Sequence, residues 1–248
     1  MLDGKELLKR VIERHGGQKQ WDKVNKLVVY ARTSGIALPL RFRFKVFKDY
    51  AAEISTREPR VVITPHPVHG SRGGFYRDTV WIESAAGQLL EKRERSRQAF
   101  GDFRHKIWWD NLDAMYFAGY ALWNYLTTPF ILLQQGMQID AMEKWQEGNE
   151  EWHRLRVLFP ETVPTHCREQ IFYFDDDGLL KRHDYTAEVF GKWAKAAHYC
   201  TSYRQFGGFK FPTRRTVYPR NKVGFPNRSI TLVHIEIDDI DLYLQDED

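Results

Sequence analysis

The chain has 248 residues, 42% of them hydrophobic and 28% charged, with a formal net charge of +4 at pH 7. That much apolar surface supplies a core and excludes a chain disordered throughout. The basic residues are dispersed, with clusters at 93–97 and 214–220 but no dense stripe, so nucleic acid is not an expected partner.

Residues 4–15 place Leu7, Leu8, Val11 and Ile12 at helical spacing, and Gly16-Gly17 stops them. A short helical piece at 19–24 carries Trp21. The start of the chain lacks the apolar run of an export signal, which makes a cytoplasmic location the expectation.

Strand signals follow at 26–34, 40–46, 50–55, 59–63, 75–83 and 88–95. The 40–46 segment alternates cleanly, with Leu40, Phe42, Phe44 and Val46 on one face and Arg41, Arg43 and Lys45 on the other. Close spacing with tight turns implies antiparallel neighbours rather than βαβ crossovers. His66 and His69 lie in a loop without the further spaced ligands that zinc needs. Gly70, Ser71, Arg72, Gly73 and Gly74 read as a flexible hairpin loop, because no phosphate-binding Lys-Ser/Thr and no helix follow. No metal and no other cofactor is expected.

The rhythm then breaks. Met115 to Leu133 is a run of nineteen residues without a charge. Apolar positions recur at Leu112, Met115, Gly119, Leu122, Trp123 and Leu126, while Tyr116, Phe117, Tyr120, Ala121 and Tyr125 make the far side apolar too. A helix apolar nearly all round is buried on both sides or sits in lipid. Pro129 limits the helix to 110–127, and the Tyr and Trp content of its second half suits burial in protein. Asp110, Asp113 and Asn124 form its narrow polar arc. The two aspartates have two readings: first-turn residues favoured at a helix N-terminus, or cavity carboxylates available for acid/base chemistry.

Strands resume at 138–145, 152–159, 165–174, 179–189, 194–204, 209–218 and 229–238. The Asp175-Asp176-Asp177-Gly178 turn lacks the closing Glu of a calcium loop. Cys167 and Cys200 fall within strands, where free cysteine behaves as a small apolar residue. Arg182 and Asp184 share one strand face, and His183 and Tyr185 the other. His198, Cys200 and Arg204 share a face opposite Tyr199 and Tyr203. Pairing of these strands would project a His/Tyr/Arg set into a concavity; ordinary cross-strand pairs are the alternative.

These segments are read as ten to eleven strands of one domain over 1–248, with disorder expected only in the acidic tail 245–248. Helices occupy 4–24, first strands 26–95, an aromatic lid or plug helix 105–128 and the remaining strands 138–244. So many consecutive antiparallel strands curl. The fold class is therefore α+β, mainly antiparallel β: a curled ten- to eleven-stranded open barrel whose hollow the aromatic helix covers.

The opening helix ending His15-Gly16-Gly17, followed by Trp21 and Val24, resembles the start of the LolA/LolB-like proteins. The segments 172–185 and 198–215 and the closing strand agree with that family's Asp-x-x-Gly-Leu turn and Gly-x-x-x-Pro segment. The resemblance implies an open sheet of roughly eleven strands with a helix-lidded apolar hollow. In known members of the family that hollow carries the acyl chains of lipoproteins. The shared motifs are turn chemistry, so no residue role transfers with them.

The expected function is binding of a hydrophobic small molecule or lipid-like ligand in the hollow. Its expected contacts are Phe42, Phe44, Trp109, Tyr116, Tyr120, Trp123, Asn124, Tyr125, His183, Tyr185 and Arg204. The alternative is an enzyme acting on a hydrophobic substrate, with Asp110, Asp113 and His198 as acid/base groups. A third reading docks Trp123, Tyr125, Phe130 and Leu132 into a membrane surface.

Overall fold

The computed structural model describes residues 3–44 and 46–245; Lys45 and residues 246–248 of the acidic tail lie outside it. Two helices, α1 (Gly4–Arg14) and α2 (Gln18–Trp21), lead into β1 (Val24–Ser34), β2 (Tyr50–Ser55), β3 (Arg60–Thr64), β4 (Ser71–Tyr76), β5 (Thr79–Ser84) and β6 (Leu89–Arg93). Three helices follow: α3 (Ser96–Ala99), α4 (Phe103–Ile107) and α5 (Asn111–Thr127). The rest is strand: β7 (Gln138–Glu147), β8 (Glu150–Leu158), β9 (Glu169–Phe174), β10 (Leu180–Thr186), β11 (Lys195–Phe206), β12 (Phe209–Pro219) and β13 (Val233–Leu244).

All thirteen strands form one sheet in the order β6-β5-β4-β3-β2-β1-β13-β12-β11-β10-β9-β8-β7. The central pair, β1 with β13, is antiparallel from Val24↔Leu244 to Ser34↔His234. Each half of the chain is thus a meander, and the halves meet where the first strand pairs with the last. This order leaves β6 and β7 at opposite edges. The chain between them must travel from one edge to the other, and it does so across the hollow, through α3, α4 and α5. The topology puts the aromatic helix where it is.

The sheet has more strands than the ten to eleven expected, and three sequence assignments are corrected. The 75–83 run splits at Arg77-Asp78, and residues 71–74, read as a flexible loop, belong to β4. Their glycines serve close packing: a Cβ on Gly73 would fall 2.6 Å from Met115 Sδ, and one on Gly74 would fall 2.1 Å from the Trp81 ring. The alternating 40–46 segment is not a strand. β1 already has β13 on one edge and β2 on the other, so no edge remains for its successor. Pro39–Arg41 instead forms a 3₁₀ turn, and Phe42 and Phe47 take left-handed backbone. Lys45 falls outside the described residues.

Helix α5 matches its expected bounds, with Asp110 as its N-cap. Every residue from Leu112 to Thr127 is buried. It lies against β2 to β6, and Gly119 lets it seat on the sheet, because a Cβ there would be 2.4 Å from the Phe75 Cβ. The Trp123 indole N–H donates to the Ser55 carbonyl at 3.1 Å. Trp123, Tyr125, Phe130 and Leu132 are all buried, so the reading that docks these four into a membrane is overturned. No described helix is long and apolar enough to cross a membrane.

Gly119→Val should therefore force the helix off the sheet and cost roughly 1–3 kcal/mol, the usual range for overpacking. Urea denaturation reads this directly, and an unchanged midpoint would contradict the close approach.

Candidate functional site

At the N-terminus of α5 the two aspartates form a reciprocal cap. The Asp113 amide donates to Asp110 Oδ1 at 2.9 Å, and the Asp110 amide donates to Asp113 Oδ2 at 3.0 Å. Arg93, at the end of edge strand β6, reaches Asp110 at 2.5 Å and Asp113 at 2.8 Å. His105 Nδ1 lies 2.7 Å from Asp113. Burial, reinforced by the Asp110 charge, pushes the Asp113 carboxyl up. Burial works the same way on Asp110, but the Arg93 hydrogen bond and charge hold its carboxyl below the usual range. His105, Asp110 and Asp113 offer ligand atoms within 4.8 Å of one another. The Arg93 guanidinium supplies the positive charge there, so the helix-capping reading of the two aspartates describes this end of α5.

The other end of α5 meets β10, β11 and β12 in a buried polar cluster. His183 and His198 face each other across the β10–β11 pair, with ring centroids 6.1 Å apart. Tyr125 Oη lies 2.7 Å from both Tyr185 Oη and His166 Nε2, while Tyr120 Oη lies 3.1 Å from His166 Nδ1. The Tyr185 ring stacks on His166 at 3.8 Å between centroids. Burial drives His166 and His198 well below the ordinary histidine value and His183 down to about 3, so all three rings are neutral. Both ring nitrogens of His198 are buried without a hydrogen-bond partner.

Arg215, from β12, enters the same cluster with 2% of its surface exposed. It donates to the Tyr125 carbonyl at 2.7 Å and to Cys200 Sγ at 3.3 Å. Among the described residues it forms no salt bridge. Its charge is balanced by the carbonyls of the last turn of α5, where a helix concentrates negative potential. His183, Tyr185 and His198 thus lie together on the inward face with Arg215, which was not among the expected residues. Arg204 is exposed and donates to the Asp238 carbonyl instead.

Between this cluster and the surface lies a cavity of about 140 Å³. Its walls are mainly apolar, from Phe117, Phe190, Val217 and Val233, with His166, Tyr185, Arg41, Lys195 and Arg220 as polar members. Leu40 and Trp193, both exposed, stand at its mouth. Phe117 and Val233 also line a neighbouring cavity of about 40 Å³ that reaches Tyr50, Tyr125 and Ile235. Depressions of about 430, 460 and 570 Å³ lie elsewhere, among charged side chains such as Arg77 and Glu188, Lys192 and Glu169, or Glu53 and Arg72. Their charged linings do not suit an apolar molecule.

Of the contacts expected from sequence, Tyr185 lines the larger cavity and Tyr125 the smaller. Tyr120, Asn124 and His183 hold the scaffold: Asn124 donates to the Tyr120 and Pro164 carbonyls, and His183 Nε2 bonds Gln170. Trp109 packs against Phe100, Phe117 and Phe190, and Tyr116 against Phe75. Phe42 and Phe44 are exposed near the mouth. Asp113 and Tyr125 are twelve residues apart on α5, roughly 18 Å along its axis. Asp110 and Asp113 are thus not brought together with His198.

Sequence reading missed Phe117, His166, Phe190 and Arg215. Arg215 carried a signal: it alternates with Phe209, Phe211, Thr213 and Val217 on an otherwise inward strand face. On the outer face of the same sheet, Arg182 is fully buried between Trp145, Tyr173 and Tyr199 and paired with Asp184 at 2.7 Å and Glu147 at 3.2 Å. That group is satisfied internally.

No family model matches the chain, and no curated protein matches it in sequence. Solved structures do match in fold. A LolA superfamily protein from Nitrosomonas europaea aligns over 98% of this chain and 94% of its own, at 10% identity and a TM-score of 0.53. A "putative outer membrane lipoprotein-sorting protein domain" from Vibrio parahaemolyticus aligns over 99% and 94%, at 10% identity and a TM-score of 0.57. A DUF1329 family protein from Desulfovibrio piger aligns over 99% and 95%, at 11% identity and a TM-score of 0.50. The chain thus has the LolA-like fold, an open half-barrel with a helical lid, as the sequence resemblance implied.

The buried histidines give the fold a pH signature. Burial lowers His15 and His66 to about 4 and His183 to about 3, and takes His166 and His198 down as well. As the pH falls below about 6.5, the unfolded chain binds protons that the folded chain refuses, so stability is lost by about 1.4 kcal/mol per pH unit for each such histidine. Thermal melts from pH 7 to pH 5 should show a steep fall in Tm, less steep in His198→Leu. A level Tm over that range would show that these rings protonate freely in the fold.

Proposed function

We propose that this protein binds a hydrophobic small molecule or a segment of an acyl chain in the cavity between α5 and β11 to β13. The observation that carries the reading is a concave, apolar chamber with a polar end formed by His166 and Tyr185 and a mouth at Leu40 and Trp193. Ligand sites are typically apolar clefts with a few placed polar groups. The Vibrio structure's description as a lipoprotein-sorting domain supports a ligand of acyl character.

Size narrows the ligand. Small-molecule sites commonly hold about 300–1,000 Å³, well above the 140 Å³ present here. The chamber takes one ring or a short chain end as it stands. Turning Phe117 aside joins it to the second cavity, so Phe117 governs how much of a ligand enters. In this reading Tyr185 and His166 meet the ligand's polar end and Tyr125 lies at the deep end.

Native mass spectrometry of protein purified from cells should show a retained lipophilic ligand. A panel of fatty acids and polyaromatic probes should bind the unliganded protein. Ala196→Phe, which fills the chamber, should abolish uptake while the circular dichroism spectrum is kept. Phe117→Ala should admit larger members of the panel. A ligand-free mass with no uptake from the panel, or undiminished uptake by Ala196→Phe, would overturn the proposal.

A further inference from the structure

The mouth of the chamber is lined by residues of two stretches, 36–44 and 189–195, and a third, 103–109, packs against both. They are tied together in space. Phe42 stacks on Trp108 with centroids 4.4 Å apart, and the Trp109 amide donates to the Arg41 carbonyl at 3.2 Å. Arg41 lies over the Phe190 ring at 4.9 Å, and Trp109 packs on Phe190 at 4.5 Å. The Trp108 amide donates to the Arg104 carbonyl at 2.8 Å, which joins α4 to the same rim.

This rim is unusual in two respects. These linked stretches expose large apolar side chains: Phe103 is 79% exposed, Trp193 76% and Phe44 64%, with Leu40, Ile107 and Trp108 also exposed. Soluble surfaces rarely gather so much apolar area without a partner. The rim is also mainly cationic, with the exposed Asp102 at its border. Its three stretches contain Arg41, Arg43, Arg104, Lys106, Lys192 and Lys195 and no Asp or Glu. The whole chain has 37 Lys and Arg against 33 Asp and Glu, so removing these six leaves 31 cations against 33 acids elsewhere. Even against the acids that flank these stretches, Asp102, Asp110 and Glu188, the six cations are in excess, and none of the six forms a salt bridge among the described residues.

We propose that this rim docks on the surface of an anionic phospholipid bilayer, with the chamber mouth facing the membrane. Phe44, Phe103, Ile107, Trp108 and Trp193 enter the headgroup region, where aromatic side chains are favoured. The surrounding arginines and lysines meet the negative surface potential, each adding a similar increment of attraction. A protein partner would need acidic complementarity at one defined geometry, whereas a bilayer needs only apolar depth beneath a negative plane. The inference goes beyond ligand binding in the chamber and stands independently of it.

Vesicle co-sedimentation tests it with the full chain. Vesicles of phosphatidylcholine with phosphatidylglycerol should retain the protein, raised salt should release it, and phosphatidylcholine alone should bind it weakly. Phe44→Ser with Phe103→Ser, and separately Arg104→Glu with Lys106→Glu, should each lower partitioning at least roughly tenfold. Val223→Ser, an exposed apolar residue outside the rim stretches, should bind as the parent does. None of the four altered rim residues lines the chamber, so ligand uptake measured in parallel should be unchanged and separates this proposal from the preceding one. Absence of co-sedimentation, equal binding to both lipids, parent-like binding by either double variant, or a dimer in light scattering that Phe44→Ser with Phe103→Ser dissolves without any vesicle binding would each overturn it.

Discussion

The fold depends on the burial of one helix on all sides. α5 is apolar nearly all round, and a sheet whose two edges are joined by that helix has its hollow available to bury it. The polar groups it takes inside are matched at both ends. Its N-terminus is acidic and held by Arg93 from one wing of the sheet, and its last carbonyls receive Arg215 from the other wing. The aspartates at the first end and the Arg215 cation at the last complement the helix dipole. The helix therefore fills the hollow and also helps tie together the two wings that meet at the β1–β13 ladder.

That arrangement limits what the concave face can do. A curled thirteen-stranded sheet could enclose a large ligand, but the plug occupies most of the space. What remains lies between Phe117 of α5 and strands β11 to β13. The histidines and tyrosines of the polar cluster beneath it are neutral, and the cluster is mostly hydrogen-bonded, the exceptions being both ring nitrogens of His198 and the Nε of Arg215. An unpartnered buried imidazole lowers stability relative to an apolar ring of the same size. It is the residue at which this cluster departs most clearly from simple packing.

Much of this was legible in the sequence, and the failures share a cause. Periodicity located α5, because a charge-free run with a terminal Asp and a following Pro leaves few other conformations. Alternation placed His183, Tyr185 and His198 on one face, and strand pairing then put them together. The same alternation misled at 40–46, where the pattern is present but no sheet edge remains to pair with. Glycine content misled at 71–74, since Gly73, which makes room for Met115 of the helix, and Gly74, which makes room for Trp81, look like loop residues when those partners are out of view. Phe117 and His166 were hidden because each becomes part of a chamber only through contacts between segments distant in sequence. Local propensity cannot report such contacts; register and topology can.

The central claim, that α5 is an integral plug rather than a hinged lid, is tested most directly by native-state hydrogen exchange followed by mass spectrometry. Peptides covering 112–127 should exchange as slowly as those from β1 and β13, and only through global unfolding. Exchange of α5 well ahead of the central strands, with the sheet still protected, would show a helix that opens on its own and would contradict this account.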